Sequence, residues 1–170
     1  VGAVLNTARV EAGASVAVIG CGGVGLSAVN GARLAGAGRI IAIDVLPEKL
    51  ALARELGATD TLDASAEEPV AAVMELTKGG VDYSFEALGR TRTIEQAFEM
   101  LAPCGTATVI GMVSETAKVS ILANALLSDR RLIGSNMGSN RFRLDMPRYV
   151  DFYLDGRLKL DHLLTKRIAL

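Results

Sequence analysis

The chain has 170 residues, half of them hydrophobic and only 4% aromatic, with a formal net charge of −1 at pH 7. This length suits one domain, because single domains commonly have roughly 100–200 residues. The balanced charge and the lack of a long apolar run exclude nucleic acid and membrane as expected partners. Arg9 and Glu11 interrupt the opening apolar residues, so no signal peptide is expected and the prediction is a cytoplasmic protein.

Short apolar strands alternate with helices along the chain. In chain order the predicted elements are a helix at 1–10, a strand at 15–19, a helix at 24–35, a strand at 39–43, a helix at 47–56, a strand at 59–62, a helix at 68–76, a strand at 81–85, a helix at 91–101, a turn at 103–105, a strand at 106–110, a helix at 121–127, a strand at 132–135 and a helix at 147–154. Apolar strands joined by helices imply a parallel sheet covered on both faces. We therefore predict one α/β domain over 1–170, a doubly wound six-stranded parallel sheet of Rossmann type.

A glycine-rich turn follows the first predicted strand. Gly20, Gly22 and Gly25 lie between a strand and a helix, and this context gives the GxGxxG pattern its specificity. Gly20 permits a tight turn, Gly22 lets a pyrophosphate approach the backbone, and Gly25 lets the helix pack closely. Free N–H groups near Gly23 and Val24 would face the phosphates. The alternative is a glycine-rich turn without a ligand.

An acidic residue closes the second predicted strand. Asp44 stands 19 positions after Gly25, as a dinucleotide fingerprint requires, and its carboxylate can accept hydrogen bonds from the adenosine ribose. It would repel the 2′-phosphate of NADP, so NAD is the predicted cofactor. Lys49 could contact the same ribose or be only solvated. Asp44 could instead be a loop or capping residue before Pro47.

Two later strand ends, at 85–90 and 109–113, also carry glycines, Gly89 and Gly111. Ligands bind at the carboxyl ends of parallel strands, so both segments could shape the site, although either could be a simple strand-to-helix turn. The only histidine is His162, and neither Cys21 nor Cys104 has a CxxC partner. No catalytic set or zinc site is therefore expected, and the cysteines are predicted to be reduced thiols.

Five stretches carry a family pattern, namely GAVLNTA at 2–8, VIGCGGVGL at 18–26, Ile43-Asp44 with Lys49, FEALG at 85–89 and GSNMGSN at 134–140. Together they resemble the coenzyme domain of zinc-dependent alcohol dehydrogenases, in the medium-chain dehydrogenase/reductase superfamily. The extra glycine, Gly23, is typical of that superfamily. The Asn-Thr-Ala stretch resembles the class III-like branch, which includes dehydrogenases of thiol–formaldehyde adducts and of aryl alcohols.

The resemblance implies a role for individual residues. The pyrophosphate would contact Gly22–Val24, and the adenosine ribose would contact Asp44 and Lys49. The nicotinamide half would contact the backbone at three later positions, Ile110, Met112 and Met137. Thr7 would border the nicotinamide, and Ala87 and Leu88 would flank the cleft. The candidate cofactor-binding set is Thr7, Gly20, Gly22, Gly23, Val24, Gly25, Asp44, Lys49, Ala87, Leu88, Ile110, Gly111, Met112 and Met137.

The resemblance also implies parts that this chain lacks. In the family, an amino-terminal domain supplies the ligands of the catalytic zinc, so we expect a fragment that binds NAD without catalysis. The parent would transfer hydride between NAD and a small alcohol, aldehyde or thiol–formaldehyde adduct, and zinc would belong to the parent only. A homodimer through the edge strand at 132–135 is implied.

Three alternatives remain open. A zinc-independent quinone reductase domain would usually prefer NADPH, and Asp44 argues against that cofactor. A non-catalytic NAD-sensing module would be less expected to carry the Asn-Thr-Ala helix. A methyltransferase usually has an acidic residue at the end of its first strand, where this chain has Val18 and Ile19.

Overall fold

The computed structural model describes residues 1–164, 166 and 168. Its strands are β1 (Ser15–Ile19), β2 (Arg39–Asp44), β3 (Asp60–Asp63), β4 (Val81–Glu86), β5 (Leu101–Val109) and β6 (Arg131–Gly134). All neighbouring strands are parallel, in the order β3-β2-β1-β4-β5-β6. The predicted six-stranded parallel sheet is confirmed. The strand order reverses beside β1, which is the switch point where ligands of open α/β sheets bind.

Helices cover the sheet, namely α1 (Gly23–Ala35), α2 (Pro47–Leu56), α3 (Pro69–Thr77), α4 (Thr91–Glu99) and α5 (Phe142–Leu154). Shorter turns are π-helical at Ala3–Ala8 and 3-10 helical at Ala123–Ser128, Met137–Ser139 and Asp161–Leu163. Pro47 and Pro69 open their helices, because the first helical position needs no N–H donor. No helix of the described residues is long and apolar enough to cross a membrane.

The core consists of two apolar clusters, one on each face of the sheet. Successive strand residues point to opposite faces, so Val16 and Val18 of β1 join one cluster whereas Ala17 and Ile19 join the other. The first cluster includes α1 and α2, and the second includes α3 and α4. The burial of both faces is the physical reason that these strands are nearly continuous apolar runs.

The boundary between α4 and β5 differs from the prediction. The helix predicted at 91–101 ends at Glu99, and β5 begins at Leu101, which pairs with Val81. The turn predicted at 103–105 lies inside β5 as a bulge, since Thr106 pairs with Tyr83 only two positions further along β4. Pro103, which cannot donate to a ladder, lies in that bulge.

The helix predicted to begin at Pro147 begins five residues earlier, at Phe142. Asp145 explains the earlier start, because its carboxylate accepts the Arg141 N–H at 2.7 Å and so satisfies the helix-capping residue. Pro147 therefore lies inside α5, where it removes one helical hydrogen bond from the exposed carbonyl of Arg143.

Two other predicted helices have a different type. The helix predicted at 1–10 is a π-helical turn over Ala3–Ala8, which ends where Arg9 takes a left-handed conformation with φ 55°. The helix predicted at 121–127 is a 3-10 turn over Ala123–Ser128. The remaining predicted strands and helices are confirmed, with boundaries that differ by at most one residue. Positions 165, 167, 169 and 170 of the predicted domain lie outside the described residues.

Candidate functional site

The glycine-rich turn between β1 and α1 has the geometry that its sequence predicts. Gly20 has φ +90°, a left-handed conformation that favours glycine. A Cβ at Gly25 would lie 1.7 Å from the Gly20 carbonyl oxygen, so α1 is pressed against the turn. A Cβ at Gly22 or Gly23 would meet nothing within 4 Å. The turn is therefore closely packed where Gly25 meets Gly20 and open at Gly22 and Gly23, and the open side leaves room for a phosphate.

The start of α1 offers N–H donors at that open side. Gly22 is the capping residue, with no side-chain cap, and the first turn contains no acidic residue. The first N–H groups of a helix have no partner within the helix, and the helix dipole places partial positive charge there. Val24, in this first turn, is 54% exposed. The helix start can thus bind an anion through its backbone.

Asp44 lies at the end of β2, buried beside the glycine-rich turn. Its Oδ2 accepts the Cys21 N–H at 2.7 Å, and its Oδ1 accepts the N–H groups of Val45 at 2.8 Å and Leu46 at 3.1 Å. Asp44 therefore performs the loop role considered as the alternative, and it also ties β2 to the turn. Each carboxylate oxygen has several acceptor sites, so further hydrogen bonds remain open to it.

The charges near Cys21 affect its thiol. Burial, followed by the negative charge of Asp44, raises the pKa of Cys21 to about 12, and Lys49 acts in the opposite direction. The thiol is therefore protonated at neutral pH and unreactive. Cys21 and Cys104 are both free.

Glu86, at the end of β4, is completely buried. Its Oε1 accepts three hydrogen bonds, from the N–H groups of Leu88 at 2.9 Å and Gly89 at 2.8 Å and from Thr93 Oγ1 at 2.7 Å. Its backbone carbonyl accepts the N–H groups of residues 110 and 111 at 2.8 Å and 3.0 Å. Its Oε2 has no hydrogen-bond partner among the described residues and would lie 2.7 Å from a Cβ at Gly111. Glu86 thus fixes two strand-end turns at once.

A cavity of about 470 Å³ opens between the start of α1 and the turn after β6. The residues that line it include Gly23 and Val24 on one side and Ile110, Met112 and Met137 on the other. The side chains of Met112 and Met137 are 94% and 69% exposed. The structure therefore brings five of the predicted positions together around one cleft.

Three other predicted residues, Ala87, Leu88 and Thr7, are outside the lining of this cavity. Leu88 is half exposed and covers Gly20, since a Cβ there would meet its Cγ at 2.6 Å. The N–H of Ala87 donates to the Ile19 carbonyl at 2.9 Å. The Thr7 hydroxyl is bonded to Ser135 Oγ at 2.7 Å and to Ser139 Oγ at 2.8 Å, and of these two partners Ser135 lines the cavity.

The described residues contain no group of three or more His, Cys, Asp and Glu side chains that could hold a metal ion. The sheet order, its reversal beside β1 and the glycine-rich turn at that point define a Rossmann-type nucleotide-binding fold.

The family named zinc-binding dehydrogenase matches residues 23–155, and the chain belongs to this family. The probable S-(hydroxymethyl)glutathione dehydrogenase 1 of Schizosaccharomyces pombe is 39% identical over 96% of this chain and 44% of its own length. The crystal structure of benzyl alcohol dehydrogenase from Acinetobacter calcoaceticus matches with a TM-score of 0.93, at 33% identity over 95% of this chain and 45% of that one.

A further solved structure, a putative zinc-binding dehydrogenase from Sinorhizobium meliloti, is bound to NADP. It matches with a TM-score of 0.87, at 31% identity over 96% of this chain and 48% of that one. The chain thus spans less than half the length of these relatives. The resemblance that the sequence motifs carry is confirmed at the level of the zinc-dependent alcohol dehydrogenase family.

Sequence reasoning missed four polar residues that shape the site, namely Asn6, Glu86, Asn140 and Asp145. Glu86 had a detectable signal, because a charged residue ending an apolar parallel strand needs buried partners. Of the other three, Asn6 and Asn140 lie inside the family stretches at 2–8 and 134–140, but no local feature gives them a role, and Asp145 lies in none of those stretches. Asn6 and Asp145 are 139 positions apart, and only the fold brings them together.

Proposed function

We propose that this chain, over residues 1–170, is the NAD-binding domain of a zinc-dependent alcohol dehydrogenase. The observation that carries the proposal is the open cradle at Gly22 and Gly23, beside uncapped helix N–H groups and one strand away from Asp44. The pyrophosphate would lie over Gly22–Val24. Because β2 and β4 flank β1, one half of the dinucleotide would then lie over β2 and the other towards β6.

On the β2 side, Asp44 would accept hydrogen bonds from the adenosine ribose through the acceptor sites that the backbone leaves free. Its bonds to Val45 and Leu46 keep the carboxylate in place before any ligand arrives. Lys49, in the first turn of α2, would contribute a compensating positive charge. This arrangement supports NAD, because a 2′-phosphate would meet a buried carboxylate.

On the other side, the backbone at Ile110, Met112 and Met137 would orient the nicotinamide half, and Ala87 and Leu88 would flank it. When bound, NAD supplies the hydride acceptor, and in the whole protein zinc would polarise the alcohol oxygen. The exposed side chains of Met112 and Met137 would cover the cleft and exclude water.

For the whole protein we propose an alcohol or a thiol–formaldehyde adduct as substrate. The names of the relatives from Schizosaccharomyces pombe and Acinetobacter calcoaceticus support these two classes. A cytoplasmic location is proposed on the two free cysteines, which oxidising compartments seldom leave unpaired.

Calorimetric titration of NAD and NADP tests the cofactor. We expect the wild-type protein to bind NAD at least about tenfold more tightly than NADP, since two like charges a few ångströms apart repel each other by on the order of 1–4 kcal/mol. Asp44→Asn removes the charge and should bring the affinities for NAD and NADP closer together. Asp63→Asn is the matched control, because Asp63 ends the adjacent strand β3, pairs in register with Asp44 and bonds only to its own loop. Tighter binding of NADP by the wild type would contradict the proposal.

We also propose a homodimer through the edge strand β6, which corresponds to the predicted edge at 132–135. In the part of the chain that the structure describes, β6 pairs with β5 only, and the preceding segment carries Leu122 and Leu127, which are 78% and 84% exposed. An unpaired strand edge beside exposed leucines favours association.

Sedimentation velocity tests the dimer. Leu127→Lys should shift the protein from dimer to monomer without unfolding it, because the side chain packs on little of its own chain. Leu154→Lys is the control, since Leu154 is 74% exposed on α5. A wild-type protein that sediments as a monomer would rule out this interface.

A further inference from the structure

The turn after β6 has an unusual backbone. Three consecutive residues, Met137, Gly138 and Ser139, have φ values of 49°, 68° and 49°. Only glycine adopts this left-handed region without strain, so Met137 and Ser139 are both held in an unfavourable backbone conformation. Such a turn persists only where its surroundings fix it, and this one lines the cleft.

Side chains close to the turn fix it directly. Asn140 Nδ2 donates to the Met137 carbonyl at 2.6 Å, and Tyr149 OH donates to Asn140 Oδ1 at 2.8 Å. Gly138 lies against Gly2, since a Cβ on Gly138 would be 2.9 Å from the Gly2 Cα. The turn is therefore held from both sides, by its own asparagine and by the first residues of the chain.

A second layer lies behind Asn140. Asn6 Nδ2 is 3.2 Å from Asn140 Oδ1 and 3.2 Å from Asp145 Oδ2, so its two hydrogens can bridge them. Asp145 is buried, with 1% of its surface exposed. The Arg141 N–H, bonded to Oδ2 at 2.7 Å, lowers the pKa of Asp145, so this carboxylate is ionised at neutral pH. An ionised acceptor orients the Asn6 amide in one direction only, with its NH₂ group towards Asp145 and Asn140.

We propose that Asp145 is a positioning residue that acts through Asn6 and Asn140 to hold the Met137–Ser139 turn, and so shapes the nicotinamide end of the cleft. Asp145 itself does not line the cavity. The inference rests on the proposed function, because the cleft must be the NAD site. Its consequence is selective, since the hydrogen bonds of Asp145 within the described residues are to Asn6 and Arg141, on the β6 side of the cleft.

The test compares NAD with ADP-ribose, which lacks the nicotinamide ring. We expect Asp145→Asn to bind NAD about tenfold more weakly, as the loss of a charge-assisted hydrogen bond implies, and ADP-ribose within about twofold of wild type. An amide in place of the carboxylate would turn an NH₂ group towards either Asn6 or Arg141, both donors. Asp151→Asn, on the exposed side of the same helix, should change neither affinity.

A second variant covers the case in which Asp145→Asn fails to fold. Asn6→Ser leaves Asp145 bonded to Arg141 and removes the amide that bridges Asp145 to Asn140. The same amide also contacts the Gly138 carbonyl at 3.5 Å and Tyr149 OH at 3.4 Å, and its loss should weaken NAD binding with the same selectivity. Equal losses for NAD and ADP-ribose, or no loss for either, overturn the positioning role. A wild-type protein that binds neither ligand overturns the proposed function instead, so the two failures are distinguishable.

Discussion

Gly25→Ala is expected to destabilise the protein by at least about 3 kcal/mol and to abolish NAD binding. The added Cβ would lie 1.7 Å from the Gly20 carbonyl oxygen and 2.8 Å from its carbonyl carbon. A backbone group cannot rotate away as a side chain can, so α1 would have to move from β1 or the turn would have to open. Either change moves the N–H groups at the start of α1 that are proposed to bind the phosphates.

Urea unfolding and NAD titration measure the two effects of this substitution. Gly22→Ala is the matched control, because its Cβ would meet nothing within 4 Å and its backbone has an ordinary φ of −74°. We expect Gly22→Ala to change the free energy of unfolding by less than about 0.5 kcal/mol, yet to weaken NAD binding, since the methyl group fills the cradle. If Gly25→Ala unfolded like the wild type, the close packing of α1 would be wrong.

The different roles of Gly20, Gly22 and Gly25 could be predicted from sequence because their constraints are local. The turn, the adjoining strand and the helix start lie within a few residues, so spacing determines geometry. Alternation of apolar strands and helices similarly predicted the sheet. The prediction failed where a boundary depends on a distant partner. β5 begins at Leu101 because Val81 pairs with it.

The start of α5 shows another limit. Pro47 opens a helix, and Pro147 was expected to do the same, but the side chain of Asp145 supports a start at Phe142. Proline favours the first turn of a helix, but the sequence alone does not show whether a nearby carboxylate moves the start of the helix to an earlier residue. The same carboxylate then bonds Asn6, so the missed boundary and the missed site residue have one cause.

The spacing from the glycine-rich turn singles out Asp44 in the sequence. It leaves two roles open, ribose binding and hydrogen bonding within its own loop. The structure gives its carboxylate three backbone donors, from Cys21, Val45 and Leu46. A sequence shows which residue is acidic, and it does not show how many donors surround the carboxylate. The donors around Glu86 are likewise not visible in the sequence, so its role in joining two turns of the cleft was not predicted.

Substitution of Glu86 should have the second large effect. Glu86→Leu leaves the part-buried N–H groups of Leu88 and Gly89 without their acceptor, whereas the Thr93 hydroxyl keeps the Arg90 carbonyl at 3.0 Å. Each unsatisfied buried group costs about 1–3 kcal/mol, so we expect a loss of about 2–4 kcal/mol in the free energy of unfolding. Glu86→Gln keeps one acceptor oxygen and should be intermediate.

Hydrogen exchange, measured together with urea unfolding, distinguishes local opening of the two turns from a general loss of stability. In Glu86→Leu the amides of residues 88–89 lose the carboxylate that accepts them, whereas the backbone carbonyl that accepts the amides of residues 110–111 remains. Both pairs of amides should nevertheless lose protection together, because Gly111 packs directly against Gly89. Glu99→Gln provides the control, since Glu99 is an exposed residue whose pair with Arg92 is 3.9 Å long, and such pairs contribute about 0–1 kcal/mol. If only residues 88–89 lost protection, the two turns would be independent, and Glu86 would support one side of the cleft alone.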